Sequence, residues 1–427
     1  MKKIILLLVC FSLLGFSVLP VAGAVQNKAK YEKKYKDPLL ESLKEAREKE
    51  QAARKEETEK IKKRQDDEKE KSEALEKNLL SDMTGVYPPP SPAACRPIFH
   101  FPPVAQYNTN TCWSFAATSY YESEIFRLSG KKIKLSEMWT VYFEYLEKVR
   151  RYVRERGDSQ VAEGGESNAI NRIWKTYGIV PAEAYPGHAA GKEKLDHALL
   201  IEEITHYLDY LKSNDLWDEG DVLNHVTVIL NKTLGVPPQK FVYNGREMTP
   251  QEFLKNETPL NMDNYVDVMS TTYHPFYTFQ EFAVPDNWWH SREYLNLPLA
   301  EWYGLILKAI KAGYSVSIGG DVSEAGKLSF HDVCFIPSFD IPGPYINQDA
   351  REFRIANKST DDDHGIHLVG YSRVKGHDWF LVKDSNRSSR WGKHEGYHLF
   401  RGDYVKLKML SFTVHKDIVK NILAKIK

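Results

Sequence analysis

The chain has 427 residues, 58 of them basic and 58 acidic, so its formal net charge is zero. With 42% hydrophobic residues it has the composition of a globular protein large enough to bury a sizeable core. The balanced charge excludes a global electrostatic field as the means of holding nucleic acid or an anionic membrane surface, so function has to be sought in local features.

At the N-terminus Lys2-Lys3 precede an apolar run from Ile4 to Val21 and the small triplet Ala22-Gly23-Ala24. This is the order of a secretory signal over residues 1–24, with an uncleaved anchor as the alternative. Cleavage predicts a secreted, periplasmic or cell-surface protein without stable membrane insertion. It leaves Cys95, Cys112 and Cys334, an odd number in a compartment that permits disulfides. If one pair forms and spares Cys112, it has to join Cys95 to Cys334.

Residues 25–86 are dominated by interleaved Lys, Arg, Glu and Asp, and Leu39, Leu40, Leu43, Ile61 and Leu75 form no sustained heptad. The segment reads as a solvated single helix or a disordered spacer, with an inhibitory pro-segment as the functional alternative. Asp37 as N-cap and Pro38 at the first helical position favour the helix. The run Tyr87-Pro88-Pro89-Pro90-Ser91-Pro92 stops any helix and marks a linker before a domain over 87–427.

Helical periodicity is expected over 112–128, 136–155, 166–177 and 193–212, with Ser136 capping the second. Residues 235–297, rich in Pro, Asn, Tyr and Trp, read as loops with short elements. A helix over 299–312 ends at Gly313. Short β-type runs follow at 315–318, 367–371, 379–382, 397–400 and 410–414. Helices first and an antiparallel sheet later make an α+β layout. The end, Asn421 to Lys427, reads as amphipathic helix through Ile422, Leu423 and Ile426.

The chemistry centres on Gln106-Tyr-Asn-Thr-Asn-Thr-Cys112-Trp113-Ser114-Phe115, where a loop rich in Asn and Thr meets a helical run opening at the Cys. Thiolate is the nucleophilic form of cysteine, and the positive end of a helix dipole favours it. A Cys at this point of a helix is otherwise a buried filler, and the flanking residues decide between the two. Together they resemble the active-site signature of papain-like cysteine peptidases. The resemblance makes Cys112 the nucleophile and gives Gln106, with the nucleophile's backbone N–H, the oxyanion hole. Each donor there is worth about 3 kcal/mol against the tetrahedral intermediate.

Far downstream, Asp363-His364-Gly-Ile-His-Leu-Val-Gly370-Tyr371 is similar to the histidine strand of that family, and its register selects His364 as base over His367. Trp379-Phe-Leu-Val-Lys383-Asp384-Ser385 resembles the strand that ends in the imidazole-orienting residue. Asp384 stands where Asn is usual, and its charge is expected to raise the pKa of His364. Asn386 occupies the place of a shielding Trp, which predicts a wetter His364–Asp384 hydrogen bond. In Glu163-Gly164-Gly165-Glu166 the resemblance assigns Gly164 and Gly165 to backbone pairing with an extended substrate, a task that suits residues without side chains. Alone, a Gly-Gly before a helix is only a turn.

A long insertion at about 186–298, Leu135-Ser-Glu-Met and the Glu-Gly-Gly-Glu form point to the bleomycin hydrolase and aminopeptidase C branch. The resemblance implies a two-lobed fold, with the Cys on a helical lobe and the His on a β lobe, and assembly into a homo-oligomer. It implies a peptide or protein substrate, no cofactor and no metal, Asp361-Asp362-Asp363 being read as a solvated loop. In that branch a C-terminal arm fills the cleft; a helical tail here predicts an open cleft that cleaves blocked peptides. The rival readings are another Cys-His-Asp acyl transferase or amidase, and a binding protein built on a disabled peptidase.

Overall fold

The structure is a computed structural model that describes residues 27–189 and 192–426; the signal-like segment lies outside them. Among the described residues no helix is long and apolar enough to cross a membrane. The chain divides into two compact units, one ending at Lys77 and one spanning Asn78–Lys427.

The first unit is built on a 36-residue helix, Pro38–Glu73, with no buried residue. The Asp37 carboxylate accepts from the N–H groups of Leu39 and Leu40, so the expected cap is in place. Exposed pairs such as Glu56–Lys60 lie one turn apart along it.

The second unit begins before the proline run. Val86 is buried with Cys95, Val369 and Trp379 in one apolar cluster, so residues after Asn78 belong to the folded body and the boundary expected at 86/87 falls earlier.

Its helical lobe is organised around the helix Cys112–Ser129, in which every residue from Trp113 to Ile125 is buried. A helix covered on all sides belongs inside a core. Against it pack the helices Glu137–Arg154, capped by Ser136, and Ala169–Tyr177; Glu219–Leu234 packs on the far side of Glu137–Arg154, with Ala198–Ser213 beside it. The last two lie in the insertion.

The β lobe is a sheet of ten strands among the described residues. In spatial order these are Thr278–Gln280, Tyr294–Asn296, Tyr265–Met269, Met409–His415, Val316–Gly320, His364–Val374, His377–Lys383, Tyr397–Arg401, Val333–Cys334 and Lys327–Leu328. Pairing is antiparallel except at two places, Tyr265–Met269 with Tyr294–Asn296 and Tyr397–Arg401 with Val333–Cys334. The first three strands come from the segment read as loops, and they are too short to show a period in the sequence. The helix Leu299–Lys311 packs on one face of the sheet, and Ile422 and Leu423, at the end of the closing helix Lys416–Leu423, join the same core with Ile426 after it.

The two lobes meet where the central helix crosses the strand His364–Val374. Gly365 makes the approach possible, since a Cβ there would stand 3.0 Å from the Trp113 Cα and 3.2 Å from its backbone nitrogen. The fold is thus α+β and two-lobed, with the helix start and the strand start side by side.

Candidate active site

Cys112 is the first residue of its helix, after Thr111, and is partly exposed. Its Sγ accepts the Gly365 N–H at 3.3 Å. Ser114 and Phe115 donate to the Thr111 carbonyl, which turns the chain into the helix at the thiol. Cys95 and Cys334 are free and buried in separate apolar clusters, so the pairing considered for them is not formed. Burial pushes the Cys95 thiol up to about 12 and raises that of Cys334 as well.

His364 opens its strand and is buried beside Cys112, paired in register with Gly320. The expected β run from 367 in fact starts at His364, which fixes the imidazole at the start of a strand paired on both sides within the sheet. Nε2 hydrogen bonds to Asp384 Oδ1 at 2.8 Å, and the two side chains are 4% and 1% exposed. The Asn386 N–H donates to the same oxygen at 2.8 Å. The pair is therefore dry, contrary to the expectation drawn from Asn386. The backbone of Asn386 orients the carboxylate, and packing of the sheet excludes water without a Trp.

Burial acts against the His364 imidazolium but is outweighed by the charges of Asp384 and the Cys112 thiolate and by hydrogen bonds to both; the net effect raises its pKa to about 10. Burial of Asp384 is likewise outweighed by His364, which holds the carboxyl below the usual carboxylate range. On the strand Tyr397–Arg401, His398 is fully buried, with Nδ1 3.7 Å from the other carboxylate oxygen, Oδ2. Neither of its ring nitrogens has a hydrogen-bond partner among the described residues. The sequence reading missed it; a His inside the apolar run after Gly396-Tyr397 was the available signal.

His367 points into the helix interface instead. Its Nδ1 lies 2.9 Å from Ser119 Oγ, which also accepts from Lys383 Nζ at 2.8 Å. Burial and then the Lys383 charge hold this imidazole well below its ordinary pKa. Alternation along the strand separates it from Cys112, as the register argument required.

Gln106 is buried against the Asp384 strand. Its Oε1 accepts from Ser385 Oγ at 2.6 Å, its backbone N–H donates to the Ser385 carbonyl at 2.9 Å, and Nε2 donates to the Thr109 carbonyl at 2.5 Å. One amide hydrogen is left over.

Gly165 lines the recess beside Cys112, and both glycines are closely packed. Trp113 Nε1 donates to the Glu163 carbonyl at 3.1 Å, and a Cβ on Gly165 would stand 2.9 Å from the Trp113 ring. A Cβ on Gly164 would collide with the Asp286 carboxylate. The Gly164 carbonyl accepts from Lys148 Nζ. Here the glycines admit Trp113 and Asp286 at close range. Asp286 comes from the insertion, where no periodicity singled it out. Asp362, read as part of a solvated loop, lines the same recess, as does Glu166.

Residues 100–426 match the model of the Peptidase C1-like family. Aminopeptidase C of Lactococcus lactis subsp. cremoris is 25% identical over 375 residues, covering 74% of this chain and 81% of the relative. That of Lactobacillus helveticus is 23% identical over 376 residues, covering 76% and 81%. Among solved structures, PepW from Lactobacillus rhamnosis HN001 shares the fold with a TM-score of 0.58 and 22% identity, over 78% of this chain and 85% of PepW.

Proposed function

Because the chain belongs to the Peptidase C1-like family and is a papain-like cysteine peptidase, we propose that Cys112, His364, Asp384 and Gln106 carry the hydrolysis. The observation that supports this most is the thiol at a helix start, facing a buried His364–Asp384 pair.

In this reading the Cys112 thiolate adds to the peptide carbonyl carbon, and the C=O π electrons move onto oxygen. The Cys112 N–H and the unspent Gln106 amide hydrogen bind that oxyanion. The imidazolium of His364 gives its proton to the leaving nitrogen as the C–N bond breaks, leaving a thioester. Neutral His364 then takes a proton from water, the hydroxide adds, and the acid leaves as the thiolate reforms. Asp384 keeps the imidazole oriented and stabilises its charged form throughout.

The aminopeptidase C relatives support a peptidase of that kind acting on peptides. Export is part of the proposal, supported by the order of Lys2-Lys3, the apolar run and Ala22-Gly23-Ala24.

A thiol-directed epoxide tests the nucleophile. It is expected to label wild-type protein at Cys112 and to stop hydrolysis, while Cys112→Ala is folded, unlabelled and inactive. Hydrolysis above background by Cys112→Ala would refute the assignment.

A further inference from the structure

His398 stands beside the reacting groups, and the hydrolysis as written leaves it unused. It lies on the strand Tyr397–Arg401, opposite Val382 of the neighbouring strand, with its ring nearly parallel to that of Phe400. The residue is wholly buried, and neither ring nitrogen has a hydrogen-bond partner among the described residues. Unpaired polar atoms in an apolar setting destabilise a fold, and a leucine would fill the same place without that penalty. Packing alone therefore gives no reason for a histidine here.

What the ring adjoins is the carboxylate that orients His364. The hydrogen bonds from His364 Nε2 and from the Asn386 N–H both end on Asp384 Oδ1. His398 Nδ1 stands 3.7 Å from the other oxygen, Oδ2, and the two side chains are 0% and 1% exposed. Closing that gap to the usual ~2.9 Å of an N–H···O bond takes less than ~1 Å of movement. Asp384, Lys327, Asp332 and His364 are the charged and titratable groups that face His398; burial outweighs the two carboxylates and lowers its pKa to about 4. Near neutrality the ring is uncharged and has one N–H to give. Asp384 in turn faces His364, His398, Lys327, the buried Cys334 thiol and Arg390, whose Nη1 donates to the Asp384 backbone carbonyl.

The arrangement matters at one point of the cycle. While His364 is an imidazolium, its charge balances the carboxylate. Once it has given its proton to the leaving nitrogen, Asp384 is a buried anion without that cation, the unfavourable state of a broken ion pair. A neutral donor on Oδ2 takes up part of the charge.

We propose that His398 is a positioning residue for the hydrolysis: its Nδ1–H closes on Asp384 Oδ2 and steadies the carboxylate while His364 is neutral, which makes the imidazolium a readier acid toward the leaving nitrogen. No proton passes between Asp384 and His398. The proposal rests on the peptidase reading and adds a residue to it.

Leucine substrates, free and N-acetylated, carrying either a p-nitroanilide or a p-nitrophenyl ester, separate this role from packing. The anilide needs a proton on its leaving nitrogen, and the phenolate of the ester does not. His398→Leu removes both ring nitrogens, whereas His398→Asn has the same shape and keeps an N–H near the position of Nδ1. For His398→Leu we expect kcat/KM on the anilide to fall at least about fivefold and on the ester to stay within about twofold. The alkaline limb of the anilide profile should rise by about half a pH unit, because a carboxylate charge that is no longer shared holds the His364 proton more tightly. His398→Asn should recover most of both effects. An equal loss on the two leaving groups, an unmoved limb, or an Asn variant as slow as the Leu variant overturns the role. Nitrogen-15 NMR of histidine-labelled wild-type protein, with the His398 signal identified by its absence from the His398→Asn spectrum, reads the bond without turnover. A neutral ring with its proton on Nδ1 from about pH 5 to about pH 9 is expected; a proton on Nε2, or a ring that titrates in that range, overturns the proposal. Failure of wild-type protein to cleave either anilide or ester would sink the peptidase reading, and the NMR result would still decide whether His398 bonds Asp384.

Discussion

His364 Nε2 and Asp384 Oδ1 are 2.8 Å apart, in a pair whose side chains are almost wholly shielded from solvent. A carboxylate in this position does more than an amide could: it carries a full negative charge against the imidazolium in a low-dielectric setting. The consequence is an imidazolium that persists to about pH 10.

Asp384→Asn keeps an oxygen that can accept the same hydrogen bond but removes the charge. The alkaline limb of kcat/KM, set by loss of the imidazolium proton, should move to lower pH by about one unit or more, with activity near neutrality retained to within about tenfold. A pH–rate profile that does not move would show that Asp384 leaves the charge of His364 unaffected.

The same pair makes stability depend on pH. The folded-state pKa of His364 is raised from 6.5 to about 10, so its contribution is complete below pH 6.5 and is lost as pH rises through about 10. Asp384 is depressed, so its contribution is present above the ordinary carboxylate range and is lost as pH falls below it. Urea midpoints between pH 6 and 10 should therefore fall more for wild-type protein than for His364→Gln. Parallel curves would remove His364 as the source.

Gly365→Ala places a methyl group 3.0 Å from the Trp113 Cα, against backbone that cannot swing aside. The strand should shift from the helix start and take the Gly365 N–H away from Cys112. We expect kcat/KM to fall at least about tenfold and the thermal midpoint by several degrees, for a loss of about 1–3 kcal/mol. Unchanged kinetics would mean that the lobes tolerate a wider spacing.

Cys112, His364, Asp384 and Gln106 were legible because each sits within a local run of residues that fixes its register. The strand starting at His364 was read three residues late, since Gly365 lacks the side chain on which alternation depends. Asp286 was invisible for another reason. It reaches Gly164 only through the folding of the insertion, and nothing in Pro285-Asp286-Asn287 sets it apart. The dryness of the His364–Asp384 pair was also misjudged, because burial there comes from the sheet and not from the neighbour at 386. For Cys95 and Cys334, parity gave a pairing that says nothing of distance.

Those two thiols change what oxidation can do to the protein. With Cys95 and Cys334 sealed in apolar clusters and held protonated, an oxidant meets one accessible thiol among the described residues, and none of the other described thiols is placed to condense with it. Mild peroxide should stop the enzyme at a sulfenic acid on Cys112, open to rescue by a small external thiol. In an oxidising compartment its working fraction is then a reading of the surrounding thiol pool.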